Sequence, residues 1–239
     1  MTQSVLLDNV NHHDLKVITG YSEKFGDNVN QVLTLPTEYL DIQKEYPIFF
    51  HRDNTSGEYQ SVALLGLDRD ENLFLDENGW NATYIPAVRA RGPFLIGLQG
   101  ASGSPMIHVD MDNPRVNRDR GQPVFLTHGG HSPYLERISG ILQLIHRGVT
   151  ESKGMFAAFE SCGLIEPVRL ELKLNEGEQY TIEHFSTISR EKLAALDGAQ
   201  LEALNRQGYL QLAFHVLASQ GNVSRLIELK NRRSAAAVT

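Results

Sequence analysis

From Tyr46 onward the apolar positions cluster in short runs, YPIFFH, YQSVALLGL and ENLFL, separated by the polar clusters Asp-Asn-Thr-Ser-Gly and Asp-Arg-Asp-Glu-Asn. Runs of this length, rich in β-branched and aromatic residues and punctuated by turn formers, predict a meander of strands. The unbroken apolar stretch VALLGL predicts a strand covered on both faces, because a half-exposed strand would alternate. Asp76-Glu-Asn-Gly79 predicts a tight turn in which Gly79 supplies a positive φ. Ile85–Arg91 predicts a short helix opened by Pro86 and closed by Gly92-Pro93. PFLIGLQ and PMIHVDMD predict two more strands, joined by a turn at Gly100–Ser104.

Beyond Gly129 the apolar spacing becomes helical. Leu135, Ile138, Leu142 and Ile145 recur at three and four residues behind Ser132, an N-cap candidate, with Glu136 in the first turn. Gly148 is expected to end that helix and Thr150 to cap a second one through Phe156, Phe159 and Cys162, giving an antiparallel helical hairpin. PVRLELKL and QYTIEHF alternate around Asn175-Glu-Gly-Glu, which predicts a β-hairpin with one wet face per strand. Ser189 starts a short helix; Asp197 starts another with a stripe of Leu201, Leu204, Tyr209, Leu212 and Val216. After Gly221-Asn222 a last amphipathic helix runs to Arg232-Arg233, and the AAAVT tail is expected to fray. The fold class is α+β: a strand-rich N-terminal half with an antiparallel sheet, a helical hairpin, a β-hairpin and C-terminal helices. Residues 1–239 read as a single domain. An N-terminal arm covers 1–35, a strand-rich part 46–128, and a mainly helical part 132–232, the last carrying the β-hairpin at 166–186.

With 239 residues the chain is long enough for a substantial core. Its net charge of −7 argues against a protein that lives by neutralising phosphates, so no nucleic-acid partner is expected. The segment from Asn113 to Arg120 carries three arginines among Pro and Asn and reads as a solvated loop. Cys162 is the only cysteine and reads as a core thiol. No apolar run reaches the roughly twenty residues of a membrane span, and the N-terminus lacks a basic leader and an apolar h-region. A cytoplasmic location is therefore expected, with signal-less export left open.

Two stretches carry a family resemblance. The block from Tyr46 to Phe94, which includes ENLFLDENGWNATYIPAVRARGPF, and LNRQGYLQLAFHVLASQGNVSRLI near the C-terminus resemble the bacterial SapC-like proteins over roughly Tyr46–Leu229. DMDNPRV, SPYL and ISREKLAAL follow the same layout in order. The resemblance implies an association with surface-layer gene clusters. It also implies neighbourhoods holding flavin-dependent tryptophan halogenases, cupin-like hydroxylases and outer-membrane receptors. It assigns no catalytic or ligand residue.

Tested residue by residue, the chemistry is sparse. His108-Val-Asp110 on a strand, with His184, would supply the two-histidine, one-carboxylate set of a non-haem iron enzyme, yet Asp110 before Met-Asp-Asn-Pro is equally a turn cap. His128-Gly-Gly-His131 lacks the Lys and Ser/Thr of a phosphate loop and reads as a structural turn. His12-His13 has no third ligand nearby. Gly100-Ala-Ser-Gly-Ser104 precedes a strand, not the helix a nucleophile elbow needs. Asp68, Asp70, Glu71 and Asn72 lack the glycine and closing glutamate of a calcium loop and read as a solvated hairpin loop. Trp80, Tyr84, Arg89, Arg91 and Phe94 concentrate the side chains from which recognition surfaces are made. Against that stands a core role for the aromatics. The leading reading is a non-enzymatic accessory or binding protein with a protein or peptide partner, no evident cofactor and an oligomer possible. The alternative is an iron-dependent, cupin- or oxygenase-like enzyme using His108 and Asp110.

Overall fold

The computed structural model describes residues 4–99, 104–175 and 177–237. The N-terminal segment supplies three strands, β1 (Ser4–Leu6), β2 (Lys16–Val17) and β3 (Gln31–Thr34); a 3-10 turn at Pro36–Glu38 then leads into α1 (Tyr39–Ile42). β4 (Ile48–Arg52) and β5 (Tyr59–Leu64) follow, then the small hairpin β6 (Leu75–Asp76) and β7 (Gly79–Trp80). Next come α2 (Ala87–Ala90), β8 (Phe94–Gln99), β9 (Ser104–Asp110), β10 (Val116–Asn117) and β11 (Gln122–Pro123). The remainder is α3 (Pro133–Ser161), β12 (Ile165–Lys173), β13 (Gln179–Ile188), α4 (Arg190–Ala194), α5 (Gly198–Arg206), α6 (Tyr209–Ser219) and α7 (Asn222–Ala237). Helix and antiparallel sheet in these proportions make the fold α+β.

The five-stranded sheet runs β12-β13-β4-β5-β3, with every pair antiparallel. Its central strands are apolar on both faces, as VALLGL predicts: Ile48, Phe49, Phe50 and Ala63 are fully buried. One side packs on Phe156 and Phe159 of α3, and the same core takes in Val216 and Leu226 of the C-terminal helices. A second core lies between the small β1-β9-β8 and β10-β2-β11 sheets and the start of α3, around Leu15, Phe94, Val109, Leu135, Ile138 and Leu142. The strands predicted from PFLIGLQ and PMIHVDMD form at Phe94–Gln99 and Ser104–Asp110 and pair with each other; the turn expected at Gly100–Ser104 falls largely on residues 100–103, outside the described ones.

Several local expectations hold. Gly79 has φ 116° in the β6–β7 turn, Ser132 Oγ accepts from Leu135 N at 3.2 Å, and Ser189 and Asp197 cap α4 and α5. The β12–β13 hairpin forms with alternating exposure along β12. Its register shifts between Val168 and Leu170, opposite His184 in the left-handed region at φ 73°.

The expected helical hairpin does not form. α3 is one helix of 29 residues, about 44 Å long, that passes straight through Gly148 and Thr150. Gly148 is there for close approach: a Cβ would lie 2.6 Å from both Leu35 Cβ and Thr37 Oγ1. The Thr150 hydroxyl bonds back to His146 O at 3.2 Å, inside the helix, and caps nothing. Conversely, the stripe read as one helix from Leu201 to Val216 is broken at Gly208, φ 76°, into α5 and α6. ENLFL contributes only Leu75 to a strand, because Asn72 folds the segment on itself. The Asn72 amide donates to Asp27 O at 3.0 Å, and its Oδ1 accepts from Phe74 N at 3.0 Å.

The acidic loop is not solvated throughout either. Glu71 is buried, accepts from Leu67 N at 3.0 Å and pairs with Lys230 of α7 at 2.7 Å. The α6–α7 link docks on the entry to β4: Ser219 Oγ accepts from Ile48 N at 2.9 Å and Gln220 donates to Ile48 O at 2.8 Å. Asn222 donates to Gln43 O at 2.7 Å. These three bonds give the C-terminal helix pair its seat. Among the described residues no helix is long and apolar enough to cross a membrane.

Candidate functional site

Two buried carboxylates hold the segment from Trp80 to Arg91 in place. Glu45 accepts from Thr83 N and Tyr84 N at 2.8 and 3.0 Å and pairs with Arg225 at 3.2 Å. Glu38, 1% exposed, accepts from Thr34 Oγ1 and Leu35 N with one oxygen and from Tyr84 Oη and Ala87 N, both at 2.8 Å, with the other. The bond to Ala87 N fixes the first turn of α2 and so the direction of Arg89. Burial raises the Glu38 carboxyl above its ordinary range, and the four donors work against that shift.

The five candidate binding residues separate on this frame. Phe94 is fully buried in the second core. Tyr84 is spent on Glu38. Trp80 donates to Tyr46 Oη at 2.9 Å and meets the Tyr21 ring edge-on at 5.7 Å. Arg91 donates to Phe94 O at 2.5 Å. Arg89 alone faces a cavity. Its Nε is buried without a hydrogen-bond partner. Burial lowers its pKa, and the like charge of Arg115 adds to that while Asp27 opposes it.

That cavity, about 30 Å³, is lined by Arg89, Arg115, Arg137, Tyr21 and Tyr134 together with residues 17–19, Ala90 and Gly92. Arg115 is the surprise. It was expected in a solvated loop but is 5% exposed, because it ties the N-terminal segment together. It pairs with buried Asp27 at 2.6 Å, donates to Ile18 O and Gly20 O, and lies 5.0 and 4.6 Å from the Tyr21 and Phe25 ring centres. Arg118 and Arg120 of the same segment are exposed, as read. Arg137 projects from the second turn of α3 with its guanidinium 5.5 Å from the Tyr134 ring centre. No ion pair ties Arg89 or Arg137 to a described carboxylate. With only Asp27 to offset three guanidiniums, the pocket is cationic inside an acidic chain. Burial raises both Tyr21 and Tyr134, while the surrounding arginines oppose the shift, so each hydroxyl remains a donor at neutral pH. The lining holds donors and no histidine, cysteine or carboxylate, a composition suited to holding an anion. Sequence spacing pointed to Arg89; Arg115 and Arg137 lie 26 and 48 residues further along the chain and left no local signal.

The iron set does not assemble. His108 and Asp110 lie on β9 in the three-stranded sheet and His184 on β13 in the five-stranded one. Among the described residues no three His, Cys, Asp or Glu side chains are placed to hold a metal ion. The His108 ring packs over Gly97 of the neighbouring strand, and Asp110 Oδ1 accepts from Asp112 N at 3.2 Å, a turn cap. Gly129 and Gly130, both at positive φ, shape the turn before α3, with Leu126 N donating to Gly130 O at 3.0 Å. His12 is buried at the N-terminal turn, 3.4 Å from Asp8. Cys162 is half-buried against the main core.

A larger cleft of about 400 Å³ separates the C-terminal half of α3 from β3 and β5. These features define an α+β protein with a small arginine-lined pocket and a larger cleft beside α3. The SapC family model matches residues 7–226, and the chain belongs to the SapC family. No curated protein and no solved structure matches it.

Proposed function

We propose that this SapC-family chain is a non-catalytic accessory protein that captures an acidic group of a protein or peptide partner. Its setting would be the surface-layer, outer-membrane uptake or peptide-modification systems that the family resemblance implies. The observation that supports the reading is the meeting of Arg89, Arg115 and Arg137 around one small pocket in a chain of net charge −7. The pocket's size suits a carboxylate tip entering from a partner's surface and excludes a whole nucleotide. Arg115 is bound to Asp27, so the two arginines left to engage a ligand are Arg89 and Arg137, helped by Tyr21 and Tyr134. A hydrogen bond to a charged group contributes about 1.5–3 kcal/mol, and 1.4 kcal/mol is about tenfold in affinity.

The test is fluorescence anisotropy with a labelled oligo-glutamate peptide. Saturable binding that weakens with salt is expected, reduced at least about tenfold in Arg89→Ala/Arg137→Ala with an unchanged melting temperature. Equal affinity in the double variant would remove the pocket from the function.

A further inference from the structure

The cleft beside α3 differs from the arginine pocket in size, charge and wall chemistry. Its floor is formed by Leu33 and Leu35 at the sheet edge, and one wall by Phe156, on which Tyr59 stacks at 5.6 Å. Val149, 49% exposed, adds an apolar side chain to the α3 side of the opening. Four of the hydroxyls on the lining are already engaged: Ser61 with Tyr39 Oη, Thr34 with Glu38 at 2.9 Å, Ser152 with Gly148 O at 2.8 Å and Ser56 with Asp53 Oδ1 at 3.0 Å. An occupant therefore meets more carbon than polar surface, beside Gln60 and hydroxyls that are already matched.

The mouth is built differently. The tip of the β4–β5 hairpin reaches across to α3 through two ion pairs, Arg52–Glu160 at 3.1 Å and Glu58–Lys153 at 3.7 Å. All four side chains are largely exposed, where water screens an ion pair and competes for its partners, so both pairs part readily. The tip itself stays formed, because Asp53 Oδ1 accepts from Thr55 N and Ser56 N at 3.0 and 2.7 Å. Two cations and two anions leave the rim neutral, so it selects for neither sign.

We propose that this cleft is a binding site for a small uncharged molecule with an aromatic or aliphatic body, admitted when the β4–β5 tip lifts from α3. A volume of about 400 Å³ lies within the range of small-molecule pockets, roughly 300–1,000 Å³. A lining more apolar than polar, four matched hydroxyls and a self-neutralised rim favour that chemistry over the acidic ligand of the arginine pocket.

The probe is prodan, a neutral naphthalene dye whose emission shifts to the blue on leaving water, titrated into the full chain. One saturable site is expected, weakened at least about tenfold by Ala157→Trp, which fills the cleft from an exposed helical position, and unaffected by Arg89→Ala. Val149→Glu, also at an exposed helical position, gives a second block should Ala157→Trp fold poorly, and the same loss is expected there. Absence of saturable binding, or affinity unchanged in both cleft variants, overturns the proposal.

Discussion

Glu38 shows how one side chain positions a site it does not enter. Its two oxygens serve four donors, two of them backbone N–H groups at the starts of different elements. Glu38→Gln would point an amide N–H₂ at a donor, so a loss of about 1–3 kcal/mol in denaturant unfolding is expected. The gap also depends on pH. The folded state holds the Glu38 proton more tightly than the unfolded state does. That contribution is full below the ordinary glutamate range and is lost as pH rises through the raised value. The stability difference between the wild-type chain and Glu38→Gln should therefore narrow as pH rises, and a constant difference would contradict the shift. Neither this role nor the burial of Arg115 is written in the neighbouring residues. Pro36-Thr37-Glu38 reads as any turn, and Arg115 sits among Pro and Asn. What buries them is contact with residues distant in sequence, Ala87 for one and Asp27 for the other.

At the level of elements, local chemistry was a good guide where the signal and its effect share a few residues. Ser132, Ser189 and Asp197 cap the helices they precede, and Gly79 turns the chain it sits in. It failed where the same residue type answers a tertiary demand. Gly148 looks like Gly163, which does follow a helix end, yet Gly148 serves a contact with Leu35 and Thr37. In an open helix Gly→Ala gains about 1 kcal/mol. Here the added methyl meets two neighbours at 2.6 Å, and Gly148→Ala should instead lose about 1–3 kcal/mol by thermal or denaturant unfolding. A stabilised variant would mean that Gly148 is an ordinary helical glycine. The break at Gly208 was missed for the converse reason, since apolar spacing on either side of it kept a helical rhythm.

Over the whole molecule two cores share one helix. The first half of α3 completes the core that holds the N-terminal strands, and the second half completes the core under the five-stranded sheet. Arg115→Ala strands Asp27 in the interior and removes the ties to Ile18 and Gly20. Breaking one side of a buried pair costs about 3–5 kcal/mol. Hydrogen exchange should show β2 and its partners losing protection while β4 and β5 keep theirs; equal loss in both would show that the two cores open as one. The alternation of apolar runs made strands and helices legible, but not this partition, which depends on α3 remaining unbroken. That continuity sets a distance. Arg137 and Phe156 are 19 residues apart on one helix, about 28 Å of nearly rigid rod. The protein thus has the geometry of a caliper, with its jaws held at a fixed gap: the two ligands proposed above would belong to two separate molecules, or to one long enough to span that gap.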